Sequence, residues 1–354
     1  MSDRTLRVLV VDDSPLNRDE MAESLAVTGD AEVVGMANNG SEALGLLPSL
    51  RPDVITLDLE MPKMDGFSFL RIVQSVWVCP VIVISGASAD KNVFRALELG
   101  AVDFVAKPST RAERLSMLPN VLKEKLAAVR SLTPGVWSRP PHQGEPRHNT
   151  PVIPRKIEGT TPRYFIAMAA STGGPTAVTK ILSHLKADAR CAVLVAQHMP
   201  DTFTRTFAER LNRHSALDVS EARANVSILG AQALICPGRR CLEVQQDGNR
   251  FVTDIRFPGP QDRYVPSADR LFTSLANVAP KNTIGVVLTG MGDDGMEGAK
   301  ALVKRGGIVI AESEETAVVY GMPQAAVRAG VVRRSLPIDD IASYLNDLTR
   351  ALTA

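Results

Sequence analysis

Three carboxylates in the N-terminal part of the chain follow apolar runs at the point where each run ends. Asp12 and Asp13 follow residues 7–11, and Asp58 lies at the end of residues 53–59. The carboxyl ends of parallel strands meet at one edge of a sheet, so these side chains should converge there. Converging carboxylates repel one another unless a cation neutralises them, and a set of oxygen ligands suits Mg²⁺. The pattern predicts a magnesium site.

Two further polar residues complete this predicted site. Ser85 ends the apolar run 80–85 and offers a hydroxyl, and Lys107 ends the run 103–107 and offers a mobile positive charge. Such a site is suited to holding one more phosphoryl group on a carboxylate. Each residue alone is equally well explained as a turn, a helix cap or a solvated charge. Their shared position at successive strand ends favours the phosphoryl site.

A hydroxyl and a pair of glycines follow an apolar strand in the C-terminal part of the chain. The segment AMAASTGGPTAV (167–178) runs through Ser171 and Thr172 into a helical pattern. It lacks the Gly-Lys-Ser/Thr end of a Walker A loop, and Ala169 replaces the first glycine of the G-x-S-x-G nucleophile elbow. Ser171 is therefore either a nucleophile or only the N-cap of the following helix.

One of the five histidines is well placed to act on Ser171. His198 directly follows the apolar run 191–197, whereas His142 and His148 lie in a proline-rich stretch and the other two lie on polar helical segments. At this strand end His198 could take the Ser171 proton as a general base. The alternative is a structural histidine whose hydrogen bonds are satisfied.

Two adjacent aspartates occupy a glycine-rich loop after a third apolar strand, in the segment VLTGMGDDGMEG (287–298). Either Asp293 or Asp294 could orient the imidazole and stabilise the imidazolium, and spacing does not choose between them. The alternatives are a tight turn or a metal loop, although the spacing of an EF-hand is missing. The chain order Ser, His, Asp is unusual, but triads are recognised by geometry and not by order.

The elements that must position these residues alternate between short apolar strands and amphipathic helices. Continuous apolar strands between helices indicate a parallel sheet covered on both faces. In the first region the predicted strands are residues 7–11, 31–37, 53–59, 80–85 and 103–107. In the second region they are residues 164–170, 191–197 and 283–290, with a β-hairpin formed by 241–246 and 250–255. The fold class is therefore predicted to be α/β, with a doubly wound first domain and a mostly parallel sheet in the second.

Composition limits the classes of protein that the chain can represent. With 354 residues we expect about two domains, here residues 1–128 and 163–354, joined by a Pro-rich linker over 129–162. A net charge of +1 and the lack of a helix-turn-helix pattern disfavour nucleic-acid binding. The four cysteines form no CxxC pair, which argues against a disulfide scaffold or a zinc site. No signal sequence and no apolar run of about 20 residues is present, so we expect a cytoplasmic protein without membrane insertion.

The first domain resembles the receiver domain of two-component response regulators. The resemblance covers residues 5–125 and rests on the segments VLVVDDS, DVITLDLEMPKMDG, PVIVIS and DFVAKP. It implies a flavodoxin-like fold with five parallel strands, in which Asp58 accepts a phosphoryl group from the phosphohistidine of a sensor histidine kinase. It also implies that Mg²⁺ is held by Asp13, Asp58 and the backbone carbonyl of Glu60, with Asp12 supporting it through water.

Three more receiver residues take roles by the same resemblance. Ser85 and Lys107 would contact the phosphoryl oxygens, and Phe104 lies where the family has its switch aromatic residue. Phosphorylation at Asp58 would then be coupled to repacking of Phe104.

With the second domain included, the whole chain resembles the protein-glutamate methylesterase family of chemotaxis response regulators, the CheB family. The motifs are ASTGGP, AQHMP, FAERLN, TGMGDDGMEG and YGMPQAAV. The resemblance implies that Ser171 is the nucleophile, His198 the base and Asp294 the orienting acid. Thr172 and the backbone around Met291 would lie at the oxyanion site, and the esterase would need no cofactor.

The resemblance also implies an activity. The protein would be a phosphorylation-activated serine esterase that demethylates glutamate methyl esters, and deamidates certain glutamines, on methyl-accepting chemoreceptors during chemotactic adaptation. Two other functions stay open, namely a phosphorylation-gated receptor-binding module without turnover and a dedicated protein-glutamine amidase. The segment RYVPSADRLF (263–272) keeps the Arg, Pro, Ser and Asp of the family's pattern, but its pair Tyr264-Val265 is less familiar in that family.

Overall fold

A computed structural model of the chain describes residues 4–86, 90–107, 110–137 and 160–351. The chain divides into two compact units, Met1–Gln143 and Gly144–Ala354. Most of the expected linker (129–162) lies outside the described residues, so its extent and the two domain boundaries stay predictions.

The first unit contains one parallel sheet of five strands in the order β2-β1-β3-β4-β5, which is the flavodoxin-like order. Its strands are Leu6–Val11 (β1), Ala31–Ala37 (β2), Val54–Asp58 (β3), Val81–Ser85 (β4) and Asp103–Ala106 (β5). Its helices are Pro15–Thr28 (α1), Gly40–Leu50 (α2), Gly66–Ile72 (α3), Asp90–Glu98 (α4) and Arg111–Arg130 (α5). The predicted doubly wound domain is confirmed, with strand ends shifted by a residue or two.

Apolar strand residues explain why this sheet is covered by helices. Val8, Val10 and Ile82 are buried in one cluster with Leu25 of α1 and Leu122 of α5. Strands β1 and β3 are neighbours, but the strand that follows β1 is added on one side of the pair and the strand that follows β3 on the other. The carboxyl ends of β1 and β3 therefore border the crevice where ligands of such sheets bind. This crevice is where Asp12 and Asp58 lie.

The second unit contains a parallel sheet of seven strands and a separate antiparallel hairpin. The strands of the sheet, in the order β14-β13-β12-β6-β7-β9-β8, are Arg334–Leu336, Ile308–Glu312, Thr283–Val287, Tyr164–Ala170, Cys191–Gln197, Gln232–Ile235 and Asp218–Glu221. The hairpin pairs Cys241–Asp247 (β10) with Arg250–Arg256 (β11), as predicted. The helices are Gly174–His184 (α6), Asp201–His214 (α7), Ala268–Val278 (α8), Met296–Lys304 (α9), Met322–Arg328 (α10) and Ile338–Ala351 (α11).

The centre of the second sheet is also a topological switch point. Strand β6 pairs with β7 on one side and with β12 on the other, and later strands extend the sheet outward from each. Leu271, Phe272 and Leu275 of α8 are buried in one cluster with Ala167 and Ala169 of β6, whose small side chains allow the helix to approach closely. The start of α8 is thereby fixed near the carboxyl ends of β6 and β12.

None of the helices in the described ranges combines the length and the apolar character that crossing a membrane requires.

Candidate functional sites

The three acids of the first unit converge as their strand-end positions predict. Asp12, Asp13 and Asp58 place carboxylate oxygens within 4.8 Å of one another, with Asp12 buried and Asp13 exposed. Lys107 donates hydrogen bonds from Nζ to Asp12 Oδ2 at 2.7 Å and to Asp58 Oδ2 at 2.5 Å. One ammonium therefore bridges two of three clustered carboxylates.

The charges at this site do not balance. Burial raises the pKa of Asp58, as does the neighbouring Asp12, although Lys107 opposes this. Burial disfavours the charged form of Lys107, but the carboxylates of Asp58 and Asp12 outweigh it and raise the pKa of the lysine. Three carboxylates against one ammonium leave an excess negative charge, and the donors are all oxygen atoms. These residues therefore fit a small divalent cation such as Mg²⁺.

Of the other predicted residues of the first unit, Glu60 is hydrogen-bonded to this cluster, whereas Ser85 and Phe104 make other contacts. The backbone N–H of Glu60 donates to Asp58 Oδ1 at 3.3 Å, whereas the hydroxyl of Ser85 donates to the carbonyl of Gly86 at 3.3 Å. Phe104 is buried, with its ring packed edge-on against Phe94 at 6.4 Å between centroids. Ser85 ends β4 and Phe104 lies in β5, the two strands that follow β3 in the sheet.

Adjacent strands of the second unit bring Ser171 and His198 together. Ala170 of β6 pairs with Gln197 of β7, and the backbone N–H of His198 donates to the carbonyl of Ala170 at 2.9 Å. Parallel neighbours lie about 4.8 Å apart. Ser171 and His198, each the next residue of its strand, are therefore neighbours at the carboxyl edge of the sheet.

Asp294 provides the third group. The Nε2 atom of His198 lies 2.8 Å from Asp294 Oδ2, and the side chain of Asp294 is 1% exposed. The same carboxylate accepts backbone N–H groups of Ala268 at 2.7 Å and Asp269 at 3.0 Å, which begin α8, and of Gly295 at 3.0 Å. These donors and the N-terminus of the helix favour a negative charge and hold the carboxylate in one orientation. An imidazole bonded to it is oriented in turn.

The neighbouring Asp293 faces a different set of groups. Its Oδ1 accepts a hydrogen bond from the hydroxyl of Tyr264 at 2.9 Å, and its Oδ2 lies 3.5 Å from Arg263. The structure therefore separates two aspartates that the sequence could not distinguish, because only Asp294 is bonded to His198. The catalytic roles of Ser171, His198 and Asp294 themselves stay predictions.

The interpretation of Ser171 as the N-cap of the following helix is wrong. The cap of α6 is Gly173, in a left-handed conformation with φ of 77°, and no side chain caps this end. Ser171 lies two residues earlier and is buried. Within the described residues its hydroxyl makes no hydrogen bond to His198, and such bonds often tighten only when substrate binds.

Gln197 is a residue of this site that sequence reasoning missed. Its Nε2 atom donates to the carbonyl of Ser171 at 2.9 Å and to that of His198 at 3.0 Å, and the side chain is buried. One amide thus ties together the turns that carry the serine and the histidine. The available signal was the single polar residue at the end of the apolar run CAVLVAQ.

Thr289 is a second missed residue, and it joins the serine turn to the aspartate loop. Its carbonyl accepts the Ser171 N–H at 3.0 Å, and its hydroxyl donates to the carbonyl of Thr172 at 2.9 Å. Its own N–H donates at 2.9 Å to Glu312, a carboxyl whose pKa burial raises to about 7. Nothing in the spacing of the sequence indicated that Glu312 lies behind the site.

The two residues assigned to the oxyanion site are Thr172, directly after Ser171, and Met291, in the glycine-rich loop after β12. Thr172 is buried in the turn before α6. Met291 follows Gly290, which packs directly against Ser171, since a Cβ placed on Gly290 would lie 2.6 Å from the Ser171 Cβ. The role of Thr172 and Met291 at an oxyanion site stays a prediction.

Gly290→Ala should damage this site without changing any polar group. The added methyl would overlap Ser171 and the Met322 sulfur, so the loop must shift. We expect at least a tenfold loss of kcat/KM for ester hydrolysis and a loss of about 1–3 kcal/mol in the free energy of unfolding. Urea denaturation and initial rates measure the two effects. The matched control is Gly259→Ala, where the nearest atom would lie at 3.7 Å. Equal behaviour of both variants would contradict the described packing.

The groups assembled at β6, β7 and β12 are those of nucleophilic acyl transfer. A hydroxyl, an imidazole and a buried carboxylate meet at the switch point of the sheet, where ligands of open α/β sheets bind. In the described part of the chain, the one cluster of three metal-ligating side chains is Asp12, Asp13 and Asp58. The interpretation of the Asp293–Asp294 loop as a metal loop therefore has no support.

Comparisons with known proteins agree with this description of both units. The model of the CheB methylesterase family matches residues 166–345, and the model of the response regulator receiver domain matches residues 8–118. The chain is similar to protein-glutamate methylesterase/protein-glutamine glutaminase 1 of Myxococcus xanthus (strain DK1622), with 44% identity over 98% of this chain and 97% of the relative.

Two further similarities cover the whole chain and the second unit. Protein-glutamate methylesterase/protein-glutamine glutaminase 3 of Geobacter sulfurreducens (strain ATCC 51573 / DSM 12127 / PCA) is 43% identical over 95% of each chain. The crystal structure of the CheB methylesterase catalytic domain of Thermotoga maritima is 32% identical, with a TM-score of 0.51, and the match covers 54% of this chain and all of that one.

Proposed function

Because the chain belongs to the CheB methylesterase family of response regulators, we propose that it is a phosphorylation-activated serine esterase acting on glutamate methyl esters of methyl-accepting chemoreceptors. The observation that carries the proposal is the bond between His198 and the buried Asp294, beside the strand end that carries Ser171. This arrangement supports acyl transfer through a serine. The biological role is adaptation in chemotaxis.

The first half of the reaction forms an acyl-enzyme. With Nε2 of His198 donating to Asp294, Nδ1 is the atom left to act as the base. It takes the Ser171 proton as Oγ attacks the ester carbonyl carbon, and Asp294 stabilises the imidazolium. The carbonyl oxygen gains negative charge, which the backbone around Thr172 and Met291 would stabilise. The C–O bond to the methoxy group then breaks, and His198 returns the proton to release methanol.

The second half restores the enzyme. Water gives a proton to His198 while its oxygen attacks the acyl carbon, and the bond to Ser171 Oγ breaks with return of that proton. The product is a glutamate side chain. A glutamine amide reacts through the same acyl-enzyme and releases ammonia in place of methanol, so one site performs deamidation as well.

The receiver domain supplies the control of this activity. Asp58 would take a phosphoryl group from the phosphohistidine of a chemotaxis kinase. Asp13, Asp58 and the carbonyl of Glu60 would hold Mg²⁺, which when bound neutralises part of the negative charge of the site. Lys107, now bonded to Asp12 and Asp58, would turn to the phosphoryl oxygens together with Ser85. The protein would act in the cytoplasm.

The test is hydrolysis of a receptor carrying radiolabelled methyl groups. Purified protein with Mg²⁺ and acetyl phosphate should release labelled methanol, and a glutamine-containing receptor should yield ammonia. A receptor-binding module without turnover would release neither and would not be labelled at Ser171 by a fluorophosphonate. A dedicated amidase would release ammonia only. Either result would reject the proposed esterase.

Asp58→Asn should remove stimulation by acetyl phosphate and keep the basal rate. The amide cannot accept a phosphoryl group, while it keeps the size of a side chain that is half-buried at the strand end. The initial rate of ester hydrolysis with and without acetyl phosphate measures the effect. Asp53→Asn, directly before β3, is the matched control and should respond like the parent protein. Undiminished stimulation of Asp58→Asn would show that phosphorylation acts elsewhere.

A further inference from the structure

Tyr264 lies in the segment before α8 and stacks on the imidazole of His198. The two ring centroids are 5.3 Å apart, and the ring planes differ by 6°. Near-parallel rings at this separation are offset, which is the favoured arrangement of stacked aromatic rings. One edge of the imidazole is fixed by Asp294 and one face by Tyr264, and the side chain of His198 is 11% exposed.

The tyrosine ring is itself held in place by groups outside the triad. Its hydroxyl donates to Asp293 at 2.9 Å. Burial and the nearby Asp293 raise the pKa of Tyr264, so the phenol keeps the proton that it donates. Gly292, in a left-handed conformation with φ of 92°, leaves space for the hydroxyl, which any Cβ at that position would strike. Asp293, which the triad does not use, thus anchors the residue that covers His198.

From this geometry we propose that Tyr264 is a positioning residue of the esterase, one that fixes the plane of His198 and stabilises its imidazolium form. The inference rests on the proposed function, because it concerns the proton that His198 receives from Ser171. A cation over the face of an aromatic ring is attracted to the electrons of that ring. The hydrogen bond to Asp293 increases the electron density of the phenol and strengthens this attraction.

Other charged groups act on the same imidazole and define the controls. Asp294 favours the imidazolium form of His198 directly, through its hydrogen bond to the ring. The positive charge of Arg263 opposes the imidazolium form, and this guanidinium lies 5.4 Å from the centre of the Tyr264 ring and 3.5 Å from Asp293. The carboxylate of Asp269 accepts a hydrogen bond from the backbone N–H of Gly298, and burial raises the pKa of Asp269 to about 6. This carboxyl group therefore titrates in the pH range that is ordinary for histidine side chains. A pH profile alone could therefore report Asp269, so a direct measurement on His198 is needed.

The experiment compares Tyr264→Leu and Tyr264→Phe with Tyr344→Leu in the full-length protein. Tyr344 is a matched control, because it too lies under an arginine, with Arg334 at 5.4 Å from its ring, but belongs to α11. The readouts are kcat, the acid limb of the pH profile of kcat/KM, and the pKa of His198 from NMR of its ring. The signal is assigned with His198→Asn, and the profile is repeated in Asp269→Asn.

Tyr264→Leu should lower kcat about three- to tenfold. Stacking favours the charged ring, so its loss lowers the pKa of His198, and the acid limb should move to lower pH by about half a unit or more. Tyr264→Phe keeps the ring and should restore most of kcat and of the His198 pKa. Tyr344→Leu should change neither quantity.

Two results would overturn the proposal. A lower kcat with an unmoved His198 pKa would mean that Tyr264 only fills space, and an unchanged kcat would mean that His198 needs no such support. The NMR measurement does not depend on turnover. If the protein proved inactive on esters, a shifted His198 pKa would still report the stacking, so failure of the proposed function is distinguishable from failure of this inference.

Discussion

Ser171→Ala should lower ester hydrolysis by roughly a thousand- to a millionfold while leaving the fold and phosphorylation at Asp58 intact. Loss of the nucleophile in a serine triad has effects of this size, because the remaining groups only bind and polarise the ester. The serine side chain is buried at the end of β6. Removing one hydroxyl there leaves the backbone bond between Ser171 and Thr289 in place.

The measurement is the initial rate of labelled methanol release, with circular dichroism and phosphodonor uptake as checks of folding. Ser183→Ala, in the helix that follows the same turn, is the matched control and should retain full activity. Hydrolysis by Ser171→Ala within tenfold of the parent rate would refute the assignment of the nucleophile.

Asp294→Asn should lower kcat/KM about 10⁴-fold, and Asp293→Asn less than tenfold. An amide at position 294 cannot accept from every donor that now surrounds the carboxylate, and it favours the wrong tautomer of His198. Ala268, Asp269 and Gly295 all donate backbone N–H groups to this side chain, so Asp294→Asn should also cost about 1–3 kcal/mol of stability.

At position 293 an amide oxygen can still accept the hydrogen bond from Tyr264. The small loss of kcat/KM expected for Asp293→Asn arises because a neutral amide forms a weaker hydrogen bond with the Tyr264 hydroxyl than the carboxylate does. Both variants are compared on one methyl ester, with thermal unfolding measured in parallel. A larger loss in Asp293→Asn than in Asp294→Asn would reverse the assignment.

Much of this architecture could be predicted because buried parallel strands have a plain signal. Continuous apolar runs in the sequence predicted β1, β4, β6 and β7. A polar residue directly after such a run lies at the carboxyl edge of the parallel sheet, where ligands bind. That rule placed Asp58, Ser171 and His198 correctly at the ends of their strands. It needs no knowledge of long-range packing.

The features that the sequence did not predict depend on contacts between distant segments. Four strands of the second sheet (β8, β9, β13 and β14) were missed. Two of them, β8 and β14, are the edge strands of the sheet and have exposed residues in place of a continuous apolar run. The choice of Asp294 over Asp293 depends on the start of α8, some 25 residues earlier in the chain. The stacking of Tyr264 on His198 has the same origin, since both rings are placed by elements that meet only in the folded protein.

The position of β6 between β7 and β12 sets an order of events during synthesis. Strand β6 meets β7 soon after it leaves the ribosome, but β12 follows more than a hundred residues later. The fifth and last strand of the receiver ends at Ala106, and N-terminal domains generally fold first during synthesis. A receiver able to take up phosphate can therefore exist on a nascent chain that still lacks Asp294. The hydrolase can become competent only when that late segment arrives, and a chain truncated by a stop codon before it would carry a working switch with no enzyme to control.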